Sequence, residues 1–246
     1  MKDTPNKIQQ NAQETKNMSG QKIEVPSENP LGPCPGVIFG DPKTTASAII
    51  VIQEWWGMNQ HIQDVAKLIA EKTNFVTVVP DLYRGKVAID RETAGHYVQD
   101  LNWDGAVQDV DAFARYLKSQ GVKKVGATGF CLGGAITIAV VAEFNSVDAA
   151  APFYGIPRAN QRIYDYSKIK VPIQLHFGEK DEAKGFSSKE DYEPFYAKLK
   201  EYGVPAELFT YDAGHAFANT TSPGFNKEAY ELSFSRIFAF FEKHLK

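Results

Sequence analysis

At 246 residues, with 43% hydrophobic and 23% charged side chains, the chain has the make-up of a soluble globular protein long enough for a well-buried core. A net charge of −3 gives no reason to expect nucleic acid or an anionic membrane as partner, and no run approaches the roughly 18 apolar residues of a membrane span. Two cysteines, Cys34 and Cys131, are too few for a disulfide framework and fit a reducing, cytoplasmic setting.

Residues 1–19 are polar and nearly free of apolar side chains, so they read as a disordered tail that cannot offset its ordering entropy. Residues 20–246 read as one domain. Short edge strands are expected at 22–25 and 36–39, and a β-branched buried strand at 46–53. A helix over 60–72 puts Ile62, Val65, Leu68 and Ile69 on one face, and 75–79 is strand again. One long or two shorter helices fill 91–119. A strand at 122–128 leads into a small-residue helix at 134–142, followed by strands at 147–153 and 171–177. The helix over 189–202 stops at Gly203, as a C-terminal glycine would stop it. A strand at 206–210 and a helix at 226–245 close the chain. Strands alternating with helices predict an α/β fold, a mostly parallel central sheet covered by helices on both faces.

Ligands of such sheets bind at the carboxyl ends of the strands. There the sequence sets Glu54-Trp55-Trp56-Gly57, then Asp81, Tyr83 and Arg84, then Cys131, then Gly178-Glu179-Lys180-Asp181, then Asp212-Ala213-Gly214-His215. Gly129-Phe130-Cys131-Leu132-Gly133, between a strand and a helix, is the pattern of the nucleophile elbow of α/β-hydrolases, with cysteine in the serine position. A thiol there sits at a helix N-terminus, where the dipole favours negative charge. Cys131, Asp181 and His215 follow the chain order nucleophile, acid, base. Glu179 and Glu182 compete with Asp181. His61, His96, His176 and His244 fall in helices or a strand and are assigned to structure.

With these residues in place, the chain from about residue 22 onward resembles the dienelactone hydrolase (carboxymethylenebutenolidase) family. The resemblance rests on Gln53-Glu54-Trp55-Trp56-Gly57, Pro80-Asp81-Leu82-Tyr83-Arg84-Gly85, the elbow with Gly134, Gly178-Glu179-Lys180-Asp181 and Gly214-His215-Ala216-Phe217. It implies hydrolysis of an ester or lactone through a Cys131 thioester. It also implies that Glu54 bonds the resting thiol and takes its proton when substrate enters. The backbone N–H groups of Leu132 and Trp55 would form the oxyanion hole. Arg84 resembles the family's carboxylate-binding arginine, with Lys86 close by. Trp55, Trp56, Tyr83 and Phe217 could line an apolar wall or simply pack in the core. The chain departs from the family at Asn219, where a second arginine can stand, and at Ala216, where a serine can occur; both put an acidic lactone in doubt.

The expected partner is a small-molecule ester or lactone, with neither nucleic acid nor membrane, and the expected assembly a monomer or weak dimer. No metal-ligand spacing or dinucleotide fingerprint is present, so no cofactor is expected. Two other functions share these residues: a binding or thiol redox-sensing protein, and a glycan hydrolase using Glu54 and Asp181 as a carboxylate pair.

Overall fold

The computed structural model describes residues 19–246, so the polar stretch expected at 1–19 lies almost wholly outside the described residues. Eight strands form one sheet: β1 (Gln21–Val25), β2 (Cys34–Phe39), β3 (Ser47–Ile52), β4 (Val76–Pro80), β5 (Lys124–Phe130), β6 (Ala149–Phe153), β7 (Ile173–Gly178) and β8 (Ala206–Tyr211). Their order across the sheet is β1-β2-β4-β3-β5-β6-β7-β8. From β4 to β8 every pairing is parallel, while β2 runs against both β1 and β4. The α/β-hydrolase architecture read from the sequence is thus the one observed.

The segment expected as an edge strand at 36–39 is instead the second strand, hydrogen-bonded on both sides. Its apolar side chains Val37, Ile38 and Phe39 are all buried, which suits an interior position. The stretch 91–119 resolves into two helices, α2 (Arg91–Asp100) and α3 (Trp103–Ser119), divided where Asn102 accepts a hydrogen bond from the Gly105 N–H and caps the second.

Helices cover both faces of the sheet. The helices α1 (Gln60–Thr73) and α6 (Lys227–Leu245) touch each other on one face, while α3 packs with α4 (Leu132–Glu143) on the other. Strand β5 shows why both faces close tightly. A Cβ on Gly126 would come within 2.7 Å of the Phe241 ring on α6, and one on Gly129 within 2.2 Å of the Gly133 carbonyl oxygen on α4. The helix α4 has no polar face: residues 132–142 are all buried, as expected of a helix between a sheet and another helix. The last helix before β8, α5 (Lys189–Glu201), ends where Gly203 takes φ +70°. Among the described residues no helix is long and apolar enough to cross a membrane.

Because six neighbouring strands run parallel, their carboxyl ends share one edge, and the segments after β3, β5, β6, β7 and β8 meet there. The Gly129 approach gives a direct test of this arrangement. Gly129→Ala should lower stability by about 1–3 kcal/mol, since the helix must move off the strand to admit a methyl group. Urea unfolding with an unchanged midpoint would contradict that packing.

Candidate active site

Cys131 lies between β5 and α4 with φ 53° and ψ −114°, a conformation that costs a residue with a side chain about 1–3 kcal/mol. The backbone around it leaves no alternative. A Cβ on Gly133 would lie 2.4 Å from the Ile52 carbonyl oxygen, one on Gly134 2.2 Å from that of Phe153, and one on Gly155 2.1 Å from that of Cys131 itself. The Cys131 N–H donates to the Phe153 carbonyl at 3.1 Å and locks the turn onto β6. Leu132 is the first residue of α4, so its N–H has no intrahelical acceptor and remains open at the thiol.

One side chain reaches Cys131 Sγ, and two from the loop between β7 and α5 stand behind it. His215 Nε2 stands 3.2 Å from it, and His215 Nδ1 stands 2.7 Å from Asp181 Oδ2. The buried Ser187 hydroxyl donates to the same Asp181 oxygen at 2.8 Å and lies 3.2 Å from His215 Nδ1. The other oxygen, Asp181 Oδ1, accepts from the Ala183 N–H at 3.0 Å. Of the three acidic residues in this loop, Asp181 is therefore the one that orients the imidazole; Glu179 accepts from Thr210 instead. Burial works against an imidazolium at His215. The hydrogen bonds to Asp181 and Cys131, and the charges on both, outweigh it and raise the His215 pKa to about 10.

Glu54 is buried beside this group, but it makes no hydrogen bond to the thiol. That expectation is corrected: Asn219 Nδ2 donates to Glu54 Oε2 and the Tyr154 hydroxyl donates to Oε1 at 3.3 Å. The Asn219 amide is held in this sense because its Oδ1 accepts from the Thr221 N–H at 2.9 Å and from the Thr221 hydroxyl at 2.7 Å. Burial raises the Glu54 pKa above its usual 4.5, with Asn219, His215 and Tyr154 pulling the other way. Asn219, noted in the sequence as a missing arginine, is thus the residue that takes up Glu54.

A cleft of about 530 Å³ opens onto these groups and is lined by Glu54, Trp55, Trp56, Cys131, Asp181 and His215 among others. A second hollow of about 270 Å³ adjoins it, sharing Trp55, Cys131, Arg158 and Phe186 and reaching Leu132. Three expected substrate contacts lie elsewhere. Arg84 forks onto Asp109 at 2.6 and 3.0 Å, because the carboxylate on α3 is fully enclosed and needs a cation. Tyr83 packs its ring on Tyr97 and lines a separate hollow with Arg84 and Lys86, while its buried, unpartnered hydroxyl stays within electrostatic reach of Cys131. Phe217 is fully buried against Tyr154 and Tyr211 and belongs to the core. His176, as assigned, is structural: stacked on Phe153, bonded to Tyr211 and Gln174, and pushed by burial to about 3.

The sequence reading missed Tyr154, Ser187, Arg91, Arg158 and Phe186. Arg91 and Arg158 line the larger cleft, and Phe186 stands between the two hollows with the Arg158 guanidinium 4.9 Å above its ring. Only Arg91 left a trace in the sequence pattern. A cation in the first turn of a helix opposes the dipole, which calls for a reason other than helix stability.

Comparison with known proteins gives the family and the fold. The model of the dienelactone hydrolase family matches residues 35–245. A protein of Aquifex pyrophilus named Protein usf is 32% identical over 72% of this chain and 79% of its own. The carboxymethylenebutenolidase of Pseudomonas putida is 29% identical over 82% of this chain and 88% of its own. In three dimensions, a dienelactone hydrolase-like promiscuous phosphotriesterase from metagenomic libraries superposes with a TM-score of 0.78. It is 19% identical, and the match covers 93% of this chain and 99% of that one.

Two outcomes test the electrostatics. Arg84→Ala leaves the Asp109 charge buried without its partner and should cost about 3–5 kcal/mol in denaturant unfolding; a loss under about 1 kcal/mol would show that the pair is not what fixes this loop. The His215 value lies above the free 6.5, so its contacts stabilise the fold fully below that pH and lose effect as pH rises through about 10. Asp181→Asn should therefore lower the His215 titration midpoint, read by NMR on the ring protons. An unmoved midpoint would separate Asp181 from the imidazole's charge.

Proposed function

The chain belongs to the dienelactone hydrolase family and is a hydrolase of carboxylic esters or lactones; we propose that it works through Cys131 as nucleophile, with His215 and Asp181, by way of an acyl-thioester. The observation that carries this reading is the unbroken line from Cys131 Sγ to His215 Nε2 at 3.2 Å and from His215 Nδ1 to Asp181 Oδ2 at 2.7 Å.

In this mechanism His215 takes the thiol proton and the sulfur attacks the carbonyl carbon, forming the S–C bond while the carbonyl oxygen becomes an oxyanion. The Leu132 and Trp55 N–H groups face that oxygen and bind it. The tetrahedral centre collapses, the C–O bond to the leaving alcohol breaks, and His215 Nε2 returns the proton to the alkoxide. Water, deprotonated by His215, then attacks the thioester and frees the acid and the thiol. Asp181 fixes the tautomer throughout and stabilises the imidazolium, with Ser187 holding the carboxylate in place.

Glu54 enters as a buried carboxyl of raised pKa at the wall of the cleft, not as the resting partner of the thiol, and its attraction to His215 stabilises the protonated ring. The Asp181 oxygens are committed to His215, Ser187 and Ala183, which leaves none for a sugar and argues against a glycan hydrolase. A redox sensor would have no use for an imidazole held by a carboxylate.

Hydrolysis of a panel containing a dienelactone and neutral aryl and alkyl esters tests the reading. Cys131→Ala should abolish turnover, and His215→Ala should lower kcat/KM by about 10³-fold or more with the fold intact. Mass spectrometry of the rapidly quenched wild type should find the acyl group on Cys131, released by hydroxylamine. Full turnover by Cys131→Ala would sink the assignment.

A further inference from the structure

The helix α2 carries a glycine in its interior for which neither packing nor backbone geometry gives a reason. A Cβ on Gly95 would meet nothing within 4 Å, and Gly95 is not among the glycines of positive φ. Glycine in a helix interior is less stable than alanine, so the sequence forgoes stability to leave this point bare. Val98 and Gln99 stand three and four residues further on, on the same side of the helix. All three line the hollow of about 270 Å³ whose other walls include Trp55, Leu132 and Phe186, and whose floor is Cys131.

The nucleophile thus sits between two spaces of different character. The larger cleft holds His215 and the side chains Arg91, Lys180 and Glu182; the smaller one lacks all four and sets Trp55, Val98, Leu132 and Phe186 beside Gln99, Gln161 and Arg158, the last common to both spaces. In a tetrahedral centre on Cys131 Sγ, the oxyanion points to the Leu132 and Trp55 N–H groups. The leaving oxygen must face His215 Nε2 to receive its proton, which directs the alcohol into the larger cleft. The third substituent, the acyl side chain, is left with the direction of the hollow beneath α2.

We propose that the hollow between α2 and the elbow is the acyl-chain subsite, and that Gly95 sets its depth, making the preferred substrates esters of apolar acids longer than acetate. This rests on the thiol-hydrolase reading above for its orientation. The occupant is identified by continuity with the nucleophile, since Cys131 belongs to both spaces and the walls of the smaller one include indole, valine, leucine and phenylalanine side chains. Gly95→Leu fills the hollow from a helix position where leucine is a better helix former than glycine.

The experiment follows p-nitrophenyl esters from acetyl through butanoyl and hexanoyl to octanoyl, and its readout is the ratio of kcat/KM for hexanoyl over acetyl. Wild type should show a ratio above one, and Gly95→Leu should reduce it by about tenfold or more, with Gly95→Ala between them. A Cys131-dependent turnover whose ratio is the same in wild type and both variants overturns the subsite and leaves the hydrolase standing. If no ester is turned over in a Cys131-dependent way, the hydrolase reading falls. The hollow is then judged by alkylation of Cys131 with N-methyl- and N-hexylmaleimide, followed by mass of the Cys131 peptide. A hexyl-over-methyl preference that Gly95→Leu removes supports the subsite, and equal preferences in both proteins overturn it. Should Gly95→Leu fail to fold, Gly95→Ala gives the same readings with a smaller change.

Discussion

The active site depends on one constraint, the left-handed backbone of Cys131 under a close approach of three chain segments. Carbonyl oxygens of Ile52, Phe153 and Gly133 lie where the Cβ atoms of Gly133, Gly134 and Gly129 would be. Helix α4 can therefore start only where it does, directly above the ends of β3, β5 and β6. Once it starts there, the thiol is lifted off the sheet and the Leu132 N–H is left without an intrahelical acceptor. The strain at one residue is maintained by contacts that involve no side chain at all, which makes it insensitive to rotamer motion.

Around that point the fold accommodates buried carboxylates in different ways, and the differences separate structure from chemistry. Asp109 is enclosed on α3 and receives a forked guanidinium from Arg84, with the Asn29 amide donating at 2.9 Å as well. Asp181 receives an imidazole that faces the cleft on its other edge, with a serine hydroxyl in support. Glu54 receives only neutral donors, an amide and a phenol. Neutral donors leave burial to dominate, and the Glu54 pKa is raised. The arginine that could have stood at residue 219 would have changed this balance.

Much of this was legible in the sequence because it depends on local pattern. Apolar runs such as 47–52, buried throughout, can hardly be anything but strands in a covered parallel sheet. Turns after strands point the same way in every such sheet, so the elbow motif, the loop positions and chain order sufficed to bring Cys131, Asp181 and His215 to one edge. What escaped depends on contacts distant in sequence. Arg84 was misplaced because nothing near it announces that Asp109 will be buried beneath it. Phe217 follows the catalytic loop so closely that only the Tyr154 and Tyr211 rings around it show that it faces inward. Ser187 is one hydroxyl among many until Asp181 is seen against it. The interior position of β2 was hidden because strand order is fixed by pairing partners, not by the strand's own residues.

The loss of Arg84 from the site changes how charge can act in it. Two of the cations that line the larger cleft have other engagements. Lys180 is paired with Asp212 at 2.6 Å, and the Arg158 guanidinium lies over Phe186. Exposed cations of this kind attract an anion through screened, long-range fields and give little geometric selection at the reacting carbon. A fork fixed beside the thiol would do the opposite, holding one carboxylate at one distance. With the fork turned toward Asp109, the subsite proposed above would discriminate more by shape than by a fixed charge, with Arg158 the cation on its wall. Shape there is set by Trp55, Leu132 and Phe186, and by the bare stretch of α2 that faces them.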